Sequence, residues 1–258
     1  MKMNFLNLLL LATLIYGCSN DDSGPINNLP NIINTYNIVD TGVDHFYNNT
    51  TIVTSPTQSN TFYGQDASYS GHLPSYTVNG DGTITDNITG MMWEQDMGIK
   101  ISYNEAFTKA EYSTLGGHTD WRVPTLKELY SLINFAGRVN GQNSIDMFID
   151  TNYFNQPLGD MSIGEREIDA QTWSSTEYVG LTMVGDQTVF GVNFVDGRIK
   201  GYPKFQPPTG TVPMTMYFRM VRGNTLYGIN NFTDNGDGTI SDIATGLMWQ
   251  QADDGYTR

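Results

Sequence analysis

Ten residues, Asp120-Trp121-Arg122-Val123-Pro124-Thr125-Leu126-Lys127-Glu128-Leu129, restrict this chain more than any other stretch, because they put a strand end, a turn and a helix start in fixed order. Thr125 and Glu128 have the spacing of a capping box. The threonine oxygen can accept from the amide of Glu128, whose carboxylate reaches back to the amide of Thr125. Pro124 keeps Val123 extended. Beyond the cap, Leu126, Leu129, Tyr130 and Ile133 recur at helical spacing, which predicts a helix running toward Gly137. Trp121 is expected in the core and Arg122 against a carboxylate or backbone carbonyls, with ligand contact as the sharper alternative for both.

Ser102 and Glu105 make a second capping box, opening a helix with Tyr103, Ala106, Phe107 and Ala110 on one face and Gly116-Gly117 at its end. Strand signals surround the helices. Tyr76 to Asp86 predicts two short strands about the turn Asn79-Gly80-Asp81-Gly82, whose glycines supply positive φ, and Met91-Met92-Trp93 reads as a buried strand. Residues 36–69 are polar with short β-prone pieces, and residues 139–167 are loop-like. Strands return at Thr172 to Ser175 and Val189 to Val195; Asp196-Gly197 turns into Arg198 to Tyr202, and Met214 to Val221 reads as one closing strand. The class is α+β, two helices packed on a small antiparallel sheet.

The chain then repeats itself. Phe232 to Asp242 and Ala244 to Gln251 restate Tyr76 to Gln95 about 156 residues later. The expected organisation is a domain over residues 36–223 and, over 224–258, the opening hairpin of a second copy, truncated before any counterpart of either helix.

At the N-terminus, Lys2 and an apolar run from Phe5 to Ile15 lead into Ile15-Tyr16-Gly17-Cys18, the shape of a secretory signal and too short to span a membrane. These residues resemble a bacterial lipobox. The resemblance implies that residues 1–17 are removed, that Cys18 is lipidated and that residues 18–35, rich in Asn, Asp, Pro and Ser, form a tether. Ser19-Asn20-Asp21-Asp22 resembles the acidic export tag of surface-exposed lipoproteins, so the expected place is the outer membrane, facing outward. Cys18 is the only cysteine; once acylated it leaves no thiol for a disulfide, a metal or a nucleophile.

A formal net charge of −14 and a pI near 4.3 make the average surface repel nucleic acid and anionic membrane, so neither is an expected partner beyond the lipid anchor. Against that background Arg198, Lys200, Lys204, Arg219 and Arg222, with Tyr202 among them and Asp196 the one nearby acid, stand out as a candidate anion site; solvated charges on strand edges are the plainer reading. Tyr153, Phe154, Tyr178 and Tyr202 are candidate aromatic contacts. Asn79, Asp81 and Asp86 offer hard oxygens of the kind calcium takes, although the spacing falls short of a calcium loop and hairpin geometry already accounts for the turn. No other cofactor is expected. His45, His72 and His118 lack ligand spacing. Glu165, Glu167 and Asp169 are acids of the type a glycosidase pairs, or simply solvated loop acids.

Taken in order, Phe62 to Asp66, Asn79 to Thr83, Thr89 to Trp93, Asp120 to Thr125, Glu128-Leu129, Asp169-Ala170, Trp173 to Glu177, Phe190 to Phe194, Asp196 to Lys200 and Tyr217 to Arg222 resemble the Legionella collagen-like protein C-terminal domain family, a bacterial domain of unknown function. Trp121 to Thr125 also resembles the helix start of C-type-lectin-like folds. The resemblance implies a C-type-lectin-like domain with Trp93, Trp121, Arg122, Pro124, Thr125, Glu128 and Trp173 as its structural signature. Because the family's founding member is a surface adhesin for sulfated glycosaminoglycans, it also implies a surface-anchored binding or adhesion module. The acidity of this chain departs from a broad basic polysulfate surface, so the expected ligand is an anionic glycan or a protein. A glycan-acting envelope hydrolase and a non-binding spacer are the alternatives.

Overall fold

Residues 35–140, 144–182, 185–207, 210–253 and 255 are described by the computed structural model. The expected signal peptide, the expected lipidation site Cys18 and all but the last residue of the expected tether lie outside them.

Local chemistry sets the first elements. Two-residue strands β1 (Phe46–Tyr47) and β2 (Ile52–Val53) pair across Asn48, whose side chain accepts from the amides of Thr50 and Thr51. Strands β3 (Tyr76–Val78), β4 (Thr83–Asp86) and β5 (Met91–Glu94) form a meander. Its first turn uses Gly80 and Gly82 at φ of 81° and 85°, where a side chain would be strained. Strand β6 (Ile101–Ser102) runs into helix α1 (Tyr103–Glu111), capped by Ser102 and Glu105 as its box predicts. Tyr103, Ala106 and Ala110 face the core; Phe107 stays exposed, edge-on to the Tyr103 ring.

The second box also forms, yet helix α2 spans only Leu126–Tyr130, shorter than the periodicity predicts. Leu132 and Ile133 donate to carbonyls three residues back, tightening the chain into turns, and the amide of Asn134 leaves for Phe148. Leu129, Leu132 and Ile133 are buried nonetheless, so the apolar period marks buried positions past the helix end.

Strands β7 (Arg138–Val139) and β8 (Ile145–Asp146) are short. The long antiparallel set β9 (Thr172–Thr182), β10 (Asp186–Asn193) and β11 (Arg198–Pro203) follows, with β10 central. A register shift on β10 puts Gly191 where an added Cβ would lie 2.6 Å from the Thr172 carbonyl.

The expected closing strand over Met214 to Val221 is not one strand. Strand β12 (Thr215–Met216) pairs with β6, Tyr217 bridges to Thr172, and β13 (Val221–Gly223) pairs with β5. The chain changes partner twice because it seams separate sheets together. The meander thus becomes a four-stranded sheet ordered β13-β5-β4-β3. Strands β14 (Phe232–Asp234), β15 (Thr239–Asp242) and β16 (Leu247–Gln250) make a second meander.

Among the described residues three apolar clusters form the interior, the smallest being Met97, Ala170, Val195 and Tyr217. Trp93, Met91 and Ile84 pack with Leu129, Leu132, Phe154 and Phe194; Tyr103, Ala106 and Ala110 of α1 pack with Trp121, Trp173 and Phe218. The fold is α+β: small antiparallel sheets with, among the described residues, two short α-helices.

Candidate functional site

Strand β11 carries three of the candidate residues. Arg198, Lys200 and Tyr202 alternate along it and so lie on one face. The turn that feeds it is built by Asp196, whose Oδ1 accepts from the Arg198 amide at 3.2 Å, and by Gly197 at φ 71°. The other oxygen of Asp196 lies 3.5 Å from the Arg198 guanidinium and 3.6 Å from the Lys200 ammonium. Only 4% of the Asp196 side chain is exposed, against 64% for Arg198 and 39% for Lys200. One sunken carboxylate therefore serves two cations whose heads face solvent, and the group keeps one net positive charge.

The loop before β9 comes up beside this edge. Asn193 on β10 donates to the Ile168 carbonyl at 2.7 Å, holding residues 166–169 near the Asp196 turn. Arg166 forks onto Asp169 at 2.6 and 3.2 Å. That bond holds the Asp169 carboxyl below the usual carboxylate range. Burial raises the Tyr202 phenol well above its ordinary value, and the charges of Asp196 and Asp169 add to the effect. The Tyr202 hydroxyl is buried with no hydrogen-bond partner among the described residues. Two groups that are distant in sequence, the acids of 165–169 and the basic hairpin, are thus neighbours.

The rest of the expected basic patch is dispersed. Lys204 turns inward, bonding Glu177 at 2.7 Å and lying 4.5 Å from the centre of the Tyr103 ring. Arg222 sits on β13 and pairs with Asp120 at 2.6 Å. The expectation that Arg219 contacts ligand is corrected outright, since the residue is wholly buried. It donates to the carbonyls of Glu94, Gln95 and Asn155 and stacks 4.9 Å from the Phe154 ring centre. Burial pushes its pKa down to about 10, which leaves it charged at neutral pH; nearby Glu94 and Asp96 oppose the shift. Among the aromatic candidates Phe154 is fully buried and Tyr153 packs on the core, while Tyr178 is exposed beside Phe190.

The calcium candidates do not converge. Asn79 donates to Thr83 and Thr85, and Asp81 accepts from the amide and hydroxyl of Thr83, all at the first turn of the meander. Asp86 stands at the far end of β4, its Oδ1 accepting from the amides of Ile88 and Thr89. Asp81 Oδ1 and Asp86 Oδ1 are spent on turn geometry, and the two carboxylates stand at opposite ends of β4. No cluster of three metal-ligating His, Cys, Asp or Glu side chains occurs among the described residues.

Of the glycosidase candidates, Glu165 is held by Lys100 through both oxygens and also accepts from the Asp160 amide at 2.8 Å. Glu167 is nearly buried. A shallow cavity of about 340 Å³ lies here, with Ile145, Met161, Arg166 and Ile168 in its wall.

The signature residues are structural. Trp121 and Trp173 are buried with their indole N–H groups on the carbonyls of Leu115 and Ile101, at 3.0 and 2.9 Å. Trp93 is buried without such a partner among the described residues. Sequence reasoning missed Arg166 and Glu177 as neighbours of the basic hairpin, since neither is close to it in the chain.

A family model described as the Lcl C-terminal domain matches residues 82–222. No curated protein and no solved structure matches the chain.

Proposed function

We propose, from the premise that this chain belongs to the Lcl C-terminal domain family, that it is a lipid-anchored bacterial surface module whose β11 edge binds an anionic extracellular glycan. The observation that carries this is the sharing of the one sunken Asp196 carboxylate between Arg198 and Lys200, which leaves that three-residue group with one net positive charge on a chain of charge −14. A sulfate or uronate carboxylate would meet a guanidinium able to form two bonds and an ammonium beside it. Two capped helices against small antiparallel sheets, joined at Trp121 to Thr125, support a C-type-lectin-like core.

Binding is favoured over glycan hydrolysis because hydrolysis needs one carboxyl kept protonated near neutrality. Here Asp169 is held below the usual carboxylate range by Arg166, and both oxygens of Glu165 are committed to Lys100. Anchoring rests on Cys18 and the residues around it.

A glycan array probed with the chain lacking residues 1–18, at low and high salt, tests the reading. Binding to sulfated or uronic sugars that weakens with salt and disappears in Arg198→Ala and Lys200→Ala is the expected result. Silence on the array, or binding indifferent to both substitutions, refutes it. Protease added to intact cells should digest the protein, and Cys18→Ala should remove it from the surface; protection in intact cells overturns the surface placement.

A further inference from the structure

The two meanders are one structure in two environments. Shifted by 156 residues, the pairs Tyr76↔Asp86 and Ile84↔Trp93 become Phe232↔Asp242 and Ile240↔Trp249. The turns correspond too: Asn235 donates to Thr239 and Ser241 as Asn79 does to Thr83 and Thr85. Gln95 donates to Gly82 and Gln251 to Gly238, both at 2.9 Å.

What differs is the outer edge. Strand β5 is covered by β13 through Val221↔Trp93, Arg222↔Met92 and Gly223↔Met91, and Met91 and Trp93 are fully buried. Strand β16 has β15 on one side and, among the described residues, no strand on the other. Its Leu247, Met248 and Trp249 are 41%, 54% and 53% exposed. The base of this meander is nonetheless well held. Asp242 is buried, accepting from the Asn231 amide at 2.8 Å and from the Asn230 side chain at 2.6 Å, and the Ala244 carbonyl takes the amides of Thr35 and Tyr36. An ordered, unpaired, apolar edge is a template for another strand.

We propose that the outer edge of β16 docks an antiparallel polypeptide strand with the chemistry of Phe218-Arg219-Met220-Val221-Arg222-Gly223. The first meander specifies that occupant. An apolar residue stands opposite Trp249 as Val221 stands opposite Trp93. An arginine two residues earlier donates to the carbonyls of Gln250 and Gln251, as Arg219 does to those of Glu94 and Gln95. The Gln250 amide oxygen accepts the strand's N–H as the Glu94 carboxylate accepts that of Met220. Opposite Leu247 the strand needs glycine, because a Cβ at Gly223 would lie 2.9 Å from the Gly90 carbonyl and Gly246 takes the place of Gly90. Residues 221–223 are themselves engaged on β5, so the occupant is another polypeptide segment of that chemistry.

The test uses a synthetic peptide of residues 214–224, which contains no tryptophan, and the chain lacking residues 1–18. Trp93, Trp121 and Trp173 are at most 4% exposed, so emission quenched by acrylamide reports Trp249. The peptide should shift that emission to shorter wavelength saturably and protect it from quenching. A Gly223→Val peptide should bind at least about ten-fold more weakly from the carbonyl clash. In Trp249→Phe the optical change should vanish while calorimetry still shows binding. In Trp249→Glu, binding should vanish with the near-ultraviolet dichroism of the buried tryptophans intact. No saturable change up to about millimolar peptide overturns the proposal. So does a change that persists in Trp249→Phe, which would mean the peptide displaces β13, or a peptide-free dimer that Trp249→Glu dissociates, which would mean the edge pairs with itself.

Discussion

Arg122 forks onto Glu128, with its two terminal nitrogens 2.7 and 2.6 Å from the carboxylate oxygens, and the same carboxylate accepts the amide of Thr125 at 2.8 Å. One side chain thus closes the helix cap and locks the strand end that precedes it. The Arg122 backbone exchanges two hydrogen bonds with Val221, so the junction is also tied to β13.

Glu128→Ala should destabilise the fold by about 2–4 kcal/mol, below the full cost of breaking a buried pair because Arg122 keeps partial contact with water. Glu128→Gln should cost less, since the amide oxygen still caps Thr125. Urea unfolding of the three proteins measures both; a loss under about 1 kcal/mol in Glu128→Ala would contradict the shared role.

Arg219→Ala should cost about 3–5 kcal/mol, because it leaves the carbonyls of Glu94, Gln95 and Asn155 without their donor and opens a cavity beside Phe154. Arg198→Ala, on an exposed strand edge, should leave the melting temperature nearly unchanged. Thermal denaturation of the pair separates the structural arginine from the candidate ligand contact.

Asp196→Asn should strengthen binding of a sulfated polysaccharide at low salt by about 3- to 10-fold, because it removes the charge that Arg198 and Lys200 share and keeps the side-chain oxygen that builds the turn. The gain should shrink at high salt, where the exposed heads are screened. Titration at two ionic strengths checks it, and weaker binding in the variant would count against the β11 site.

Burial raises the Asp86 carboxyl above its ordinary value of 3.8, and its Oδ2 has no hydrogen-bond partner among the described residues. A raised folded value means the fold favours the protonated acid. That contribution is whole below pH 3.8 and is lost as pH rises through the folded value. Asp86→Asn carries no such charge and can keep the bonds from Ile88 and Thr89. Its melting temperature relative to wild type should therefore rise between acid and neutral pH. A difference that stays constant with pH would refute the sign.

Features that depend on neighbours within a few residues were legible in the chain. Ser102 with Glu105 and Thr125 with Glu128 mark both helix starts, because a capping side chain and its amide are three residues apart. Asp196-Gly197 marks its hairpin for the same reason. The end of α2 was not legible: Leu132 and Ile133 keep a buried apolar period, and only the departure of Asn134 to Phe148 shows that the helix has already closed.

Burial and partnership were decided in three dimensions. Arg219 and Arg222 lie three residues apart in one apparent strand; the former is sealed among backbone carbonyls, while the latter reaches Asp120 at the surface. Trp93 and Trp249 make the point most sharply, since their surrounding letters and strand registers agree, yet one is fully buried and the other half exposed. Alternation of side chains sets which face a residue occupies, but whether that face meets water depends on a strand arriving from more than a hundred residues away, as β13 does for Trp93.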